Sequence, residues 1–155
     1  MANELTALIL GDVIGQPGCR ARFVSMSALK KEYRPDLIIV NGENSYDGFG
    51  ISPGEVDSFI SSGVDVVTTG NHVWQQKDIY RVLKNNPKLL RPHNYPSQAP
   101  GKGYAVIDVK GFKTAVVNLQ GRERMSNIDC PFQCAKGLLR KEISGIKNVF
   151  IDFHA

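Results

Sequence analysis

Cysteine is scarce in this sequence, with three among 155 residues, an odd number. Cys19, Cys130 and Cys134 therefore supply neither a disulfide framework nor a paired CxxC metal site, and reduced thiols are expected. The spacing of Cys130 and Cys134 puts two sulfurs on one helix face, but Pro131 between them favours a helix start over a ligand pair. No apolar run reaches bilayer-spanning length, and Met1-Ala2-Asn3-Glu4 lacks the basic start and cleavage region of a secretory leader. The expected compartment is the cytoplasm. Dense basic runs with interleaved aromatics are missing too: Arg20, Arg22, Lys30, Lys31, Arg34, Lys84, Arg122, Arg124, Arg140 and Lys141 are scattered. A net charge of +4 favours anionic partners in a general way, and this scatter argues against stable nucleic-acid binding. Internal repeats and low-complexity tracts are absent as well.

What remains is ordinary globular material, 42% hydrophobic and 22% charged, enough for one compact domain over residues 1–155. Short apolar runs alternate with amphipathic stretches, the rhythm of an α/β protein with strands buried on both faces. A first strand is expected at 6–10, followed by a Gly- and Pro-rich loop from Gly11 to Gly18 before helical spacing resumes at Phe23, Met26 and Leu29. Pro35 closes that helix. A second strand at 37–40 runs into Asn41-Gly42-Glu43-Asn44. Ser52-Pro53-Gly54-Glu55 then offers a serine cap, a first-turn proline and a reciprocating glutamate. Gly63 ends that helix. A third strand at 64–69 leads into Gly70-Asn71-His72, and a helix is expected at 75–85. After a proline-rich stretch, 104–109 and 113–119 read as a hairpin turned at Lys110-Gly111. Leu138, Leu139 and Ile143 suggest one more helix, and 149–153 a last strand ending at His154.

In open α/β sheets the loops leaving the C-terminal strand ends form the ligand crevice. Those ends carry Asp12, then Glu43 and Asn44, then Asn71 and His72, and finally Asp152 with His154. Carboxylates, carboxamides and imidazoles without cysteine suit hard or borderline divalent ions such as manganese or iron. A carboxylate such as Glu43 can bridge two ions, which would clamp a phosphate and make hydroxide available near neutral pH, so phosphoester hydrolysis is expected. Singly, each residue has a structural reading: Asp12 as a helix cap, Asn71 as a turn residue, His72 as a satisfied buried histidine. Their joint occurrence at successive strand ends favours a site. The Gly11 to Gly18 loop lacks both the Gly-Lys-Ser/Thr ending of a P-loop and the dinucleotide spacing, so its phosphate-cradling signal is weak.

Gly11-Asp12-Val13-Ile14-Gly15, Asn41-Gly42-Glu43-Asn44, Gly70-Asn71-His72-Val73-Trp74, Arg91-Pro92-His93-Asn94-Tyr95-Pro96, Asn118-Leu119-Gln120-Gly121-Arg122 and Ile151-Asp152-Phe153-His154-Ala155 occur in this order along the chain. Together they resemble the YmdB-like branch of the calcineurin-like metallophosphoesterases. The resemblance implies an α/β/β/α sandwich and a dinuclear site of iron or manganese. It further implies cyclic-nucleotide phosphodiesterase activity, notably on 2′,3′-cyclic AMP. Asp12 and Asn44 would hold one metal, Glu43 would bridge, Asn71 and His154 would hold the other, and His72 would protonate the leaving oxygen. Arg122 is a candidate for contacting substrate phosphate, and His93 reads as structural or rim-facing. Members of the family continue for roughly another hundred residues, within the ordinary size of a domain, to a segment supplying two further histidine ligands. The expectation for this chain alone is a partial sandwich lacking its C-terminal strands. It also predicts weak or partial metal occupancy, impaired activity, and self-association or pairing with a complementing C-terminal fragment. The alternative is a catalytically silent nucleotide- or protein-binding remnant of that fold.

Overall fold

The computed structural model describes residues 4–155; residues 1–3, part of the start read above for its lack of a leader, lie outside the described residues. In chain order the elements are β1 (Ala7–Leu10), α1 (Gly15–Tyr33), β2 (Leu37–Asn41), α2 (Pro53–Ser61), β3 (Val66–Thr68), a 3₁₀ turn (Asn71–Trp74), α3 (Ile79–Asn85), β4 (Tyr104–Val109), β5 (Phe112–Gln120), α4 (Pro131–Arg140) and β6 (Asn148–His154). They make two three-stranded sheets. β1-β2-β3 is parallel throughout, whereas in β4-β5-β6 the first pair is antiparallel and the second parallel. Parallel neighbours need a long crossover, which the helices α1, α2 and α4 provide.

The continuous apolar run of β2 explains the layering. Successive strand residues point to opposite faces, so a strand buried on both sides must be apolar at every position. Leu37 and Ile39 pack with Val66, Leu90, Val109 and Val116, placing them between the two sheets. Ile38 and Val40 face the other way, onto Met26 of α1, Val56 and Phe59 of α2, and Ile79 and Leu83 of α3. In β5 the same alternation sends Val116 into the space between the sheets, and Ala115, Val117 and Leu119 onto Leu138 of α4 and Ile143. The result is an α/β/β/α sandwich. Full burial of side chains such as Leu37, Ile39 and Phe59 stabilises it by about 1.5–3 kcal/mol each.

Several local expectations are met in atomic detail. The Ser52 N–H donates to Glu55 Oε2 at 2.8 Å, the glutamate half of the capping box. Pro131 occupies the first turn of α4 with Cys130 immediately outside it, as the helix-start reading of that spacing required, and all three cysteines are free. Lys110 and Gly111 both have left-handed φ values, 53° and 81°, which suits a two-residue hairpin turn. Strand ends shift by one or two residues, and two helix starts differ more. Helix α1 begins at Gly15, inside the segment expected to be loop, because Pro17 falls in the first turn, where no backbone N–H is needed. It stops at Arg34, whose N–H donates to Lys30 O and whose left-handed φ of 45° turns the chain out of the helix just before Pro35. The helix expected at 75–85 is shorter: a 3₁₀ turn at Asn71–Trp74 precedes it, and regular helix starts only at Ile79. No helix among the described residues is long and apolar enough to cross a membrane.

Candidate active site

The loops leaving β1, β2 and β3 are tied to one another through the backbone. Val13 N donates to Asn41 O at 3.1 Å, Gly15 N to Asn44 O at 2.8 Å, and Gly42 N to Thr68 O at 3.0 Å. Glycine is required at two of these ends. A Cβ at Gly42 would strike the Phe59 ring, and one at Gly70 would collide with the Glu43 carboxylate and the His154 imidazole. The glycines of Asn41-Gly42-Glu43 and Gly70-Asn71-His72 therefore let polar side chains crowd against backbone.

The second sheet is brought to the same edge by buried polar groups. Asn118 of β5 clasps Thr69, its Oδ1 accepting from Thr69 N at 2.9 Å and its Nδ2 donating to Thr69 O at 2.8 Å. Asp152 of β6 accepts from Asn41 Nδ2 at 3.1 Å and from the Thr68 hydroxyl. Asp152, read from sequence as one of the strand-end groups, is thereby engaged as a tie between the sheets. Satisfying these buried groups fixes the register of one sheet against the other.

Within that frame the six residues singled out from sequence form a continuous string. Asn44 Nδ2 donates to Asp12 Oδ2 at 2.5 Å, and Asn44 Oδ1 lies 2.6 Å from His72 Nδ1. The backbone N–H of His72 donates to Glu43 Oε2 at 3.3 Å. Glu43 Oε1 lies 3.1 Å from His154 Nδ1, and His154 Nε2 lies 2.8 Å from Asn71 Oδ1. Arg122 stands apart from this string. It is exposed on the loop after β5, next to Gly121, whose N–H donates to His154 O at 2.7 Å. His93 is half-buried; its N–H donates to Asn118 O at 2.7 Å and its ring packs edge-on against Tyr104.

The electrostatics centre on Glu43. It is 1% exposed, and its Oε1 meets only His154 Nδ1, at 3.1 Å but without hydrogen-bond geometry. Burial pushes its carboxyl up to about 7, against the pull of the His72 N–H, and the neighbouring Asp12 and Asp152 add to the rise. Burial also holds the His154 imidazole below its ordinary value, with Asp12 and Asp152 pulling the other way and His72 adding to the depression. Both shifts favour a neutral Glu43–His154 pair. A bound cation would favour the ionised carboxylate and so oppose the upward shift of Glu43. Among the described residues no group of three or more His, Cys, Asp or Glu side chains is gathered as a metal site. The donor set is completed only by the carboxamides of Asn44 and Asn71, and with them its chemistry fits a hard or borderline divalent ion.

Sequence reasoning did not single out Asn41, Thr68, Thr69 and Asn118 as the polar ties that aim this edge. The one local signal was a polar residue at the end of, or inside, an otherwise apolar strand, as at Asn118 in β5. It also passed over Phe49, whose ring centroid lies 4.2 Å from that of His72.

A four-layer sandwich with a crowded Asp/Glu/Asn/His cluster at its strand ends is the architecture of the calcineurin-like phosphoesterases. The chain belongs to the family described as YmdB-like protein, whose sequence profile matches residues 8–155. It is 40% identical over 148 residues to the 2′,3′-cyclic-nucleotide 2′-phosphodiesterase of Bacillus subtilis (strain 168), an alignment covering 96% of this chain and 56% of that protein. It superposes on the crystal structure of a novel phosphatase from Mycoplasma pneumoniae with a TM-score of 0.92 and 32% identity, covering 100% of this chain and 57% of that one. A hypothetical protein from Thermus thermophilus gives a TM-score of 0.89 and 34% identity, covering 97% and 58% respectively. The chain thus spans a little over half the length of the relatives it matches.

Proposed function

We propose that this chain carries the greater part of the active site of a metal-dependent phosphodiesterase acting on cyclic nucleotides such as 2′,3′-cyclic AMP. The observation that supports this reading best is the chain of close contacts from Asp12 through Asn44, His72, Glu43 and His154 to Asn71, with a carboxyl buried at its centre. Asp12, Asn44 and Glu43 would hold one divalent ion, and Glu43, Asn71 and His154 a second, iron or manganese by donor type. Ions bound there would neutralise phosphate charge and make water a stronger acid. Residues 1–155 are read as one part of a single metallophosphoesterase domain acting in the cytoplasm.

The chain's own groups divide the remaining work. His72 is anchored through Nδ1, whose proton is donated to Asn44 Oδ1, so Nε2 is the ring atom left to meet substrate. A proton held at Nε2 would be delivered to the departing ribose oxygen as an oxygen from water bonds to phosphorus and the bond to the ribose breaks, turning a poor alkoxide leaving group into an alcohol. Gly70 keeps the space beside Glu43 and His154 free of side chain. The cross-sheet ties through Asn118 and Asp152 hold the β6 donor against the donors of the first sheet. Arg122 is a candidate for the substrate's outer phosphate oxygens.

The test is hydrolysis of 2′,3′-cyclic AMP with added Mn²⁺ or Fe²⁺, comparing this chain, its His72→Ala variant, and a chain extended by the remaining histidine-bearing segment of its relatives. Metal-dependent turnover that His72→Ala lowers supports the assignment. Absence of turnover even in the extended chain rejects it, and nucleotide binding without turnover points to the silent binding role instead.

A further inference from the structure

Phe49 is a large apolar side chain left 49% exposed directly beside the most polar part of the molecule. Its ring packs on His72 with centroids 4.2 Å apart and planes inclined by 47°. The loop that carries it is well pinned. Tyr46 N donates to Gly50 O at 2.9 Å, Phe49 N to Tyr46 O at 2.8 Å, and Gln76 Nε2 to Phe49 O at 3.4 Å. Asp47, Gly48 and Gly50 all take left-handed φ values, of 50°, 83° and 103°, so the backbone makes an uncommon turn that sets this phenyl at the rim. Covering His72 would need only one side of the ring, and the rest faces outward.

The chemistry of the proposed substrate gives the outward part a partner. If His72 Nε2 meets the ribose 2′-oxygen, the base lies close by, because the base is borne by the sugar carbon adjacent to the one that bears that oxygen. An aromatic ring in contact with the imidazole is then within reach of the base, and stacking on a phenyl suits every base because each has a π-face. We propose that Phe49 is a specificity-determining residue, stacking on the nucleobase of a substrate whose phosphate is held at the strand-end cluster. This rests on the reading of His72 given above. It makes the site selective for nucleotides over phosphoesters of similar charge that carry no base.

The experiment is calorimetric binding of adenosine 3′-monophosphate and of inorganic phosphate, in Mn²⁺-containing buffer, to the full chain and its Phe49→Ala, Phe49→Leu and Phe49→Trp variants. Leucine keeps apolar cover over His72 but has no π-face. The expected result is that Ala and Leu weaken the nucleotide roughly tenfold, the usual scale for one stacked base, while Trp retains its affinity and phosphate binding is unchanged in all three. Equal weakening of nucleotide and phosphate would overturn the proposal and leave Phe49 as packing for His72. No weakening of either would also overturn it. Failure of the wild-type chain to bind even phosphate would bring down the underlying site assignment as well, and is distinguished by that loss of phosphate.

Discussion

Replacing Glu43 by glutamine keeps the shape of the side chain and removes its ability to ionise, and the structure sets the size of the effect. The carboxyl is 1% exposed and titrates at about 7 when folded, against an ordinary 4.5. At about 1.36 kcal/mol per pKa unit, that difference corresponds to about 3 kcal/mol between the two protonation states. The folded chain keeps a proton that the unfolded chain releases between these values. Its stability from this group is therefore fully present below 4.5 and is lost as pH rises through 7. In metal-free protein Glu43→Gln should be nearly neutral at pH 4.5 and about 3 kcal/mol more stable than wild type at pH 8.5. Urea denaturation in the presence of a chelator measures both. His93 and His154, held low first of all by burial, act in the opposite sense, weakening the fold as pH falls below the ordinary imidazole range. The glutamine variant supplies the baseline against which their contribution to the wild-type curve is removed. Mn²⁺ at a thousand times its Kd at pH 8.5 should reverse the ranking, because binding then adds about 4.1 kcal/mol to the wild type alone. Identical pH slopes in the two proteins, or a glutamine variant less stable at pH 8.5 in chelator, would refute the reasoning.

Three further outcomes follow from the same geometry. His72→Ala should lower hydrolysis of a substrate with a ribose leaving group by about 10²–10⁴-fold, and have far less effect on an aryl phosphodiester, whose phenolate departs without a proton; kinetics on the two substrates check this. Gly70→Ala drives a methyl group into the Glu43 carboxylate and the His154 ring, so Mn²⁺ binding by calorimetry should be lost while the far-ultraviolet circular dichroism is retained. Asn118→Leu leaves the buried N–H and C=O of Thr69 without partners, costing about 2–6 kcal/mol by urea denaturation, since each orphaned buried group costs about 1–3 kcal/mol.

Much of the fold was legible because its signals are local. The run Leu37 to Val40 is apolar at every position, as two-sided burial demands, and Ser52-Pro53-Gly54-Glu55 and Lys110-Gly111 mark a helix start and a hairpin turn through backbone chemistry alone. The start of α1 was misplaced for an equally local reason, since Pro17 looks like a breaker but sits in a turn that needs no N–H donor there. The site was legible only as far as strand ends can be listed. Asp12, Glu43, Asn71 and His154 are separated by long stretches of chain, yet each ends or closely follows a strand of the two packed sheets. What escaped was everything that depends on contacts between distant segments. The Asn118–Thr69 clasp, the Asn41–Asp152 tie and the Phe49–His72 contact leave no periodicity to read, and a buried asparagine looks from sequence like any other polar residue.

The central claim is that these strand ends bind divalent ions through Glu43 and its neighbours, and Mn²⁺ titration of the chelator-treated chain near pH 6 tests it most directly, run in buffers of differing ionisation enthalpy. The account predicts saturable binding with release of the proton that burial keeps on Glu43, both abolished by Glu43→Gln and weakened by Asp12→Ala. Absence of binding, or binding that neither substitution changes, would contradict it.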